Sequence, residues 1–106
     1  MVDMIANLEA LLARGGDSPN LRFALATKHF EAGDLERALA HAKVAVQADP
    51  DYSAAWRLLG RIQSEAGQHE LAMETYRRGI EVAERRGDRQ VAKEMQVFLK
   101  RLERAE

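Results

Sequence analysis

Displaced by 34 residues, the chain falls onto itself: Leu25 meets Leu59, Glu31 meets Glu65, Ala32 meets Ala66, Gly33 meets Gly67, Glu36 meets Glu70 and Ala38 meets Ala72. The matches gather in a helix core, a turn and the start of the next helix. A period of this length marks a supersecondary unit that cannot bury its apolar face alone and must stack on its neighbours. This feature restricts the chain to a repeat array.

Local signals define the unit. Gly15-Gly16, Ser18-Pro19, Gly33-Asp34, Asp49-Pro50, Gly67 and Gly87-Asp88 separate segments rich in Ala, Leu, Glu and Arg, which are strong helix formers. Helices are expected near Val2 to Arg14, Pro19 to Ala32, Leu35 to Ala48, Tyr52 to Ala66, His69 to Arg86 and Arg89 to Arg104, with no strand. Ser18, Asp34, Asp51 and Asp88 stand where a side chain can accept the free amides of a first turn, and Gly15, Gly33, Gly67 and Gly87 stand where helices stop. Connections this short make neighbouring helices antiparallel, so the four central segments pair into two hairpins. In the first segment Ile5, Leu8, Leu11 and Leu12 form a stripe expected to cover the first hairpin.

The second hairpin carries Trp56, Leu59-Gly60, Gly67, Ala72 and Tyr76, and the first carries Leu25-Ala26, Gly33-Asp34, Ala38, Ala45 and Asp49-Pro50. In these residues and their spacing the chain resembles the tetratricopeptide-repeat (TPR) family, and in particular its small stand-alone bacterial members. The resemblance implies an all-α superhelix of two helix-turn-helix repeats, 19–52 and 53–86, between an N-terminal capping helix, 1–16, and a C-terminal capping helix, 87–106. Small residues let paired axes approach, so Ala26 is expected to face Ala38 and Gly60 to face Ala72. The chain departs from the family pattern at Arg22, His29, Ala42, Gln63 and Glu84.

What the resemblance implies for function is a non-catalytic adaptor or scaffold that holds a protein or peptide in a concave groove lined by the first helix of each unit. Carried over by spacing, the groove residues are Asn20, Phe23, Thr27 and Phe30, then Arg57, Arg61 and Ser64, then Val91, Met95 and Phe98 from the last helix. Apolar anchors beside two arginines one turn apart suit a partner with an apolar side chain and a nearby acidic group. The same apolar residues also fit a reading as packing between helices. Where family members that clamp chaperone tails use Lys and Asn, this chain has Phe23, Thr27 and Leu58, so that activity is not implied.

Other classes find little support. The 106 residues contain no cysteine, which excludes disulfides and thiolate chemistry and suits a reducing compartment, so the cytoplasm is the expected location. Sixteen basic residues against 17 acidic ones leave no field to attract nucleic acid, and Glu74, Glu81, Glu84, Asp88 and Glu94 largely cancel the basic run Arg77, Arg78, Arg85, Arg86, Arg89 and Lys93. No apolar stretch reaches the roughly 20 residues of a membrane span, and Asp3, Asn7 and Glu9 argue against a secretion signal. His29, His41 and His69 share no metal-ligand spacing, so neither metal nor cofactor is expected. No nucleophile elbow or phosphate-binding loop occurs, so an enzyme is not expected. The alternative to an adaptor is a homodimer formed through the apolar face of the last helix.

Overall fold

A computed structural model describes residues 3–105. They form α1 (Met4–Ala13), α2 (Pro19–Glu31), α3 (Leu35–Ala48), α4 (Ser53–Glu65), α5 (His69–Arg86) and α6 (Arg89–Ala105), with no strand among them. The expected helix start at Val2 and the final Glu106 lie outside the described residues.

Two of the expected caps form as read: the Leu21 amide donates to Ser18 Oγ at 3.0 Å, and the Arg37 amide to Asp34 Oδ1 at 3.1 Å. Asp3 caps α1 in the same way through the Ala6 amide. Asp51 does not cap α4. The residue before that helix is Tyr52, which makes no side-chain cap bond, and Asp51 instead reaches Arg85 at 2.7 Å. At the hairpin turns Gly33 and Gly67 take φ of +82° and +79°, and the next amides, Asp34 and Gln68, return to the carbonyls of His29 and Gln63. A side chain would strain that left-handed backbone, which is why glycine ends these helices.

Each helix packs on the next along the chain. In addition α2 touches α4 and α4 touches α6, whereas α3 and α5 do not meet. The stack therefore curves, with α2, α4 and α6 on its inner side and α3 and α5 splayed outside. Its core is built largely of small residues, with Ala26, Ala38, Ala42, Ala45, Ala55, Ala72 and Ala83 all buried, so the helix axes draw close. Larger groups fill between them, notably Leu25, Ile62, Tyr76 and Met95.

Gly60 shows how tight this is. A methyl group built there would sit 2.3 Å from Tyr76 Cε1. The three atoms nearest that methyl all belong to the Tyr76 ring, so the small residue at 60 makes room for an aromatic of the next helix. In α1, Ile5, Leu8 and Leu12 are half-buried against the hairpin, but Leu11 is exposed, so the expected stripe is narrower by one residue.

Candidate functional site

The inner surface of the stack has two ends, because α2 and α4 run in the same direction two helices apart. At the end where they begin, Asn20 lines a cleft of about 310 Å³ with Asp49, Asp51, Tyr52, Ser53, Arg86 and Asp88. Phe23 lies behind it, its ring 5.1 Å from that of Tyr52, and Thr27 gives its hydroxyl to the Phe23 carbonyl. This end is rich in carboxylates.

The other end is cationic. A cleft of about 270 Å³ is lined by Arg61, Ser64 and Glu65 of α4, Tyr76 of α5, and Phe98, Arg101 and Leu102 of α6. The Arg61 guanidinium lies over the Phe30 ring, 5.3 Å from its centroid, and Arg101 over Phe98 at 6.0 Å. Such stacking holds a guanidinium over a ring while leaving its N–H groups for another acceptor. No ion pair engages Arg61 or Arg101 among the described residues. Burial pushes the Tyr76 phenol up to about 12, with Arg61 pulling weakly the other way, so the ring brings no negative charge to the cleft at neutral pH.

Arg57, expected beside Arg61 as a partner-binding charge, is engaged within the chain: its Nη1 donates to Glu94 of α6 at 2.8 Å. Met95, also expected on the groove surface, is fully buried against Gly79. Both differences have one cause. The starts of α2 and α4 are 34 residues apart, but those of α4 and α6 are 36 apart, because α5 has 18 residues against 14 in α3 while the connection after it, 87–88, is two residues shorter than 49–52. Two extra residues turn a helix by about 200°, which carries Met95 inward and brings Glu94, Phe98 and Arg101 toward α4. Phe98 lines the cationic cleft and, like Val91, is half-buried.

Residues 29–93 match the profile of the tetratricopeptide repeat, well over half of the chain. The chain belongs to the tetratricopeptide-repeat family. It is 45% identical over 102 residues to a TPR repeat-containing protein of Pseudomonas aeruginosa, an alignment covering 96% of this chain and 97% of that one. The solution structure of a Bordetella parapertussis protein superposes with a TM-score of 0.86 at 41% identity, covering 99% of this chain and 91% of that one. A TPR domain protein of Salinibacter ruber gives a TM-score of 0.80 at 33% identity, covering 85% of this chain and all of its own.

The basic run of α5 is engaged within the chain. Arg78 lies over Trp56, Arg85 meets Asp51, Arg86 meets Asp88 and Arg77 meets Glu103, so the basic run on α5 is largely neutralised. Glu74 and Glu81, four residues before Arg78 and Arg85, form no ion pair with them among the described residues. No helix among the described residues is long and apolar enough to cross a membrane.

One grouping of chemical groups was not visible in the TPR pattern. His29 and His41, 12 residues apart, stack with ring centroids 5.5 Å apart and planes 8° from parallel, and Glu9 of α1 reaches both. The hairpin brings them together, because α2 and α3 are antiparallel and both side chains face the seam. His29, standing where the family usually has an aromatic, is 5% exposed.

Proposed function

We propose that this TPR protein is a non-catalytic adaptor that binds a segment of another protein through the Arg61–Arg101 cleft on the α2–α4–α6 face. The segment pairs an acidic group with an apolar or aromatic side chain. The TPR fold is that of a protein-interaction module, and its members typically do no chemistry of their own. The observation that carries the finer reading is the contrast between the arginines of the inner face. Arg57 already holds Glu94, whereas Arg61 and Arg101, in no ion pair among the described residues, flank a cleft with aromatic walls. A carboxylate there gains charge-assisted hydrogen bonds, and an adjacent apolar group covers the half-buried Phe98 and Leu102. Of the groove residues expected from the sequence, Arg61, Ser64 and Phe98 line this cleft and Phe30 lies beneath the Arg61 guanidinium, while Asn20, Phe23 and Thr27 extend the face toward its acidic end.

The self-associating alternative has less surface to use. The apolar side chains Ala92, Met95, Phe98, Leu99 and Leu102 of α6 pack against the core, which leaves Val97 as its exposed large apolar group. The adaptor reading is tested by selecting peptides from a displayed random library on the wild-type chain. Enriched peptides should carry Asp or Glu within a few residues of Phe, Leu or Met. Their affinity should fall with added salt, and by about tenfold or more in the Arg61→Glu, Arg101→Glu variant. A basic or uncharged consensus, or equal binding by the double variant, would sink the proposal.

A further inference from the structure

We infer that Glu9, His29 and His41 form a binding site for one divalent transition-metal ion, which would staple α1 to the first hairpin. The three side chains come from three helices, α1, α2 and α3. Glu9 Oε1 lies 3.1 Å from His29 Nε2 and 3.6 Å from His41 Nε2, and one donor atom from each of the three lies within 4.8 Å of the other two. A tetrahedral ion with bonds of about 2.0–2.2 Å spaces its ligands about 3.3 Å apart, so two edges of the polyhedron are nearly in place.

The donor set narrows the ion. Two imidazoles and one carboxylate, with no thiolate, suit zinc and its neighbours in the first transition row rather than calcium or magnesium, which prefer oxygen. The imidazoles are shielded, with side-chain exposures of 6% for His29 and 12% for His41, whereas that of Glu9 is 41%. The ion thus has a way in past Glu9, and water can take its remaining position. α1 has no fully buried side chain, so a bond from Glu9 through an ion to α2 and α3 would anchor the least embedded helix of the stack.

Arg22 opposes the ion. A guanidinium has donors only, so the 3.2 Å contact of Arg22 Nη1 with His41 Nδ1 makes that nitrogen the acceptor and leaves the neutral ring's proton on Nε2, toward Glu9. Coordination through Nε2 requires the proton on Nδ1, an exchange of tautomers with no net proton released. That edge then becomes a donor facing a donor. Arg22 must swing aside with Asp17, which holds it by bonds of 2.9 and 3.0 Å. Replacing Arg22 with Gln, whose carbonyl can accept from Nδ1–H, removes the conflict.

The test is a calorimetric titration of Zn²⁺ into the full chain after chelator treatment, with hydrogen exchange followed in parallel. One ion per chain is expected. Glu9→Gln, which preserves the shape of a half-exposed side chain, and His41→Gln should each weaken binding about tenfold or more, and Arg22→Gln should tighten it. Zn²⁺ should slow exchange of the α1 amides in the wild type and leave them unchanged in Glu9→Gln. The inference is overturned if Zn²⁺ shows no saturable binding, or if binding survives Glu9→Gln and His41→Gln and is lost in His69→Gln. Should His41→Gln fail to fold by circular dichroism, Glu9→Gln and Arg22→Gln decide the matter, since both sites lie at the edge of the cluster.

Discussion

Gly60→Ala sets two physical effects against each other with opposite signs. Helix propensity alone predicts that the change stabilises the interior of α4 by about 1 kcal/mol. The packing predicts the reverse. The new methyl would lie 2.3, 2.7 and 2.8 Å from three atoms of the Tyr76 ring, against the roughly 3.5–4.0 Å of an ordinary carbon contact, so the ring must retreat by more than about 1 Å. Tyr76 is 2% exposed and braced by Phe98, with ring centroids 5.8 Å apart, which leaves it little room except toward the cleft. Overpacking of a tight core costs about 1–3 kcal/mol, and this clash belongs at the upper end. Subtracting the propensity gain leaves a net loss of about 2 kcal/mol. In a domain of this size that lowers Tm by roughly 8 °C. The assay is thermal and urea unfolding by circular dichroism of Gly60→Ala in the wild-type and Tyr76→Leu backgrounds. In the second background most of the penalty should vanish, giving a coupling energy of at least about 1 kcal/mol. An unchanged or raised Tm, or the same loss in both backgrounds, would refute the packing argument.

Other expectations follow from particular contacts. Ala72, fully buried between its helices, should not tolerate enlargement: Ala72→Leu is expected to cost about 1–3 kcal/mol in urea unfolding. Ser18→Ala removes the cap bond to the Leu21 amide and should lower stability by about 0.5–2 kcal/mol, measured the same way. Trp56 donates its indole N–H to the Pro50 carbonyl at 2.8 Å, so Trp56→Phe should cost about 1–3 kcal/mol by stranding that acceptor. The Asp34 carboxyl is held below its ordinary value, first by the Arg37 amide and then by the Arg37 guanidinium. A lowered folded value means a contribution present above the ordinary carboxylate range and lost as pH falls through the folded one. The acid limb of the wild-type stability curve should therefore be steeper than that of Asp34→Asn, followed by Tm between neutral pH and pH of about 3.

The parts of the fold that depend on near neighbours in sequence were legible. A 34-residue offset, the glycines at 15, 33, 67 and 87, and Ser18 and Asp34 each act within a turn or a hairpin, and the six helices read from them are the six observed. What escaped depends on how helices are turned against each other. The length of α5 decides which face of α6 looks inward, and no residue of α6 carries that information by itself; hence Met95 in the core and Glu94 on Arg57. Asp51 looked like a cap because it precedes a helix, yet a partner 34 residues away, Arg85, takes its carboxylate. The meeting of Glu9, His29 and His41 has the same origin. Metal-ligand spacing is readable within one helix, where residues four apart share a face, but not across three helices whose registers are set by packing.

The proposed partner docks on the inner face at the Arg61–Arg101 cleft. That docking is tested most directly by mapping amide and side-chain shifts in NMR spectra while an acidic, apolar peptide from the display selection is titrated into the labelled chain. Perturbations should concentrate at Phe30, Arg61, Ser64, Phe98 and Arg101, with the outer face around Trp56 and Arg78 unmoved. Perturbations centred on that outer face, with the cleft residues silent, would contradict docking at the cleft.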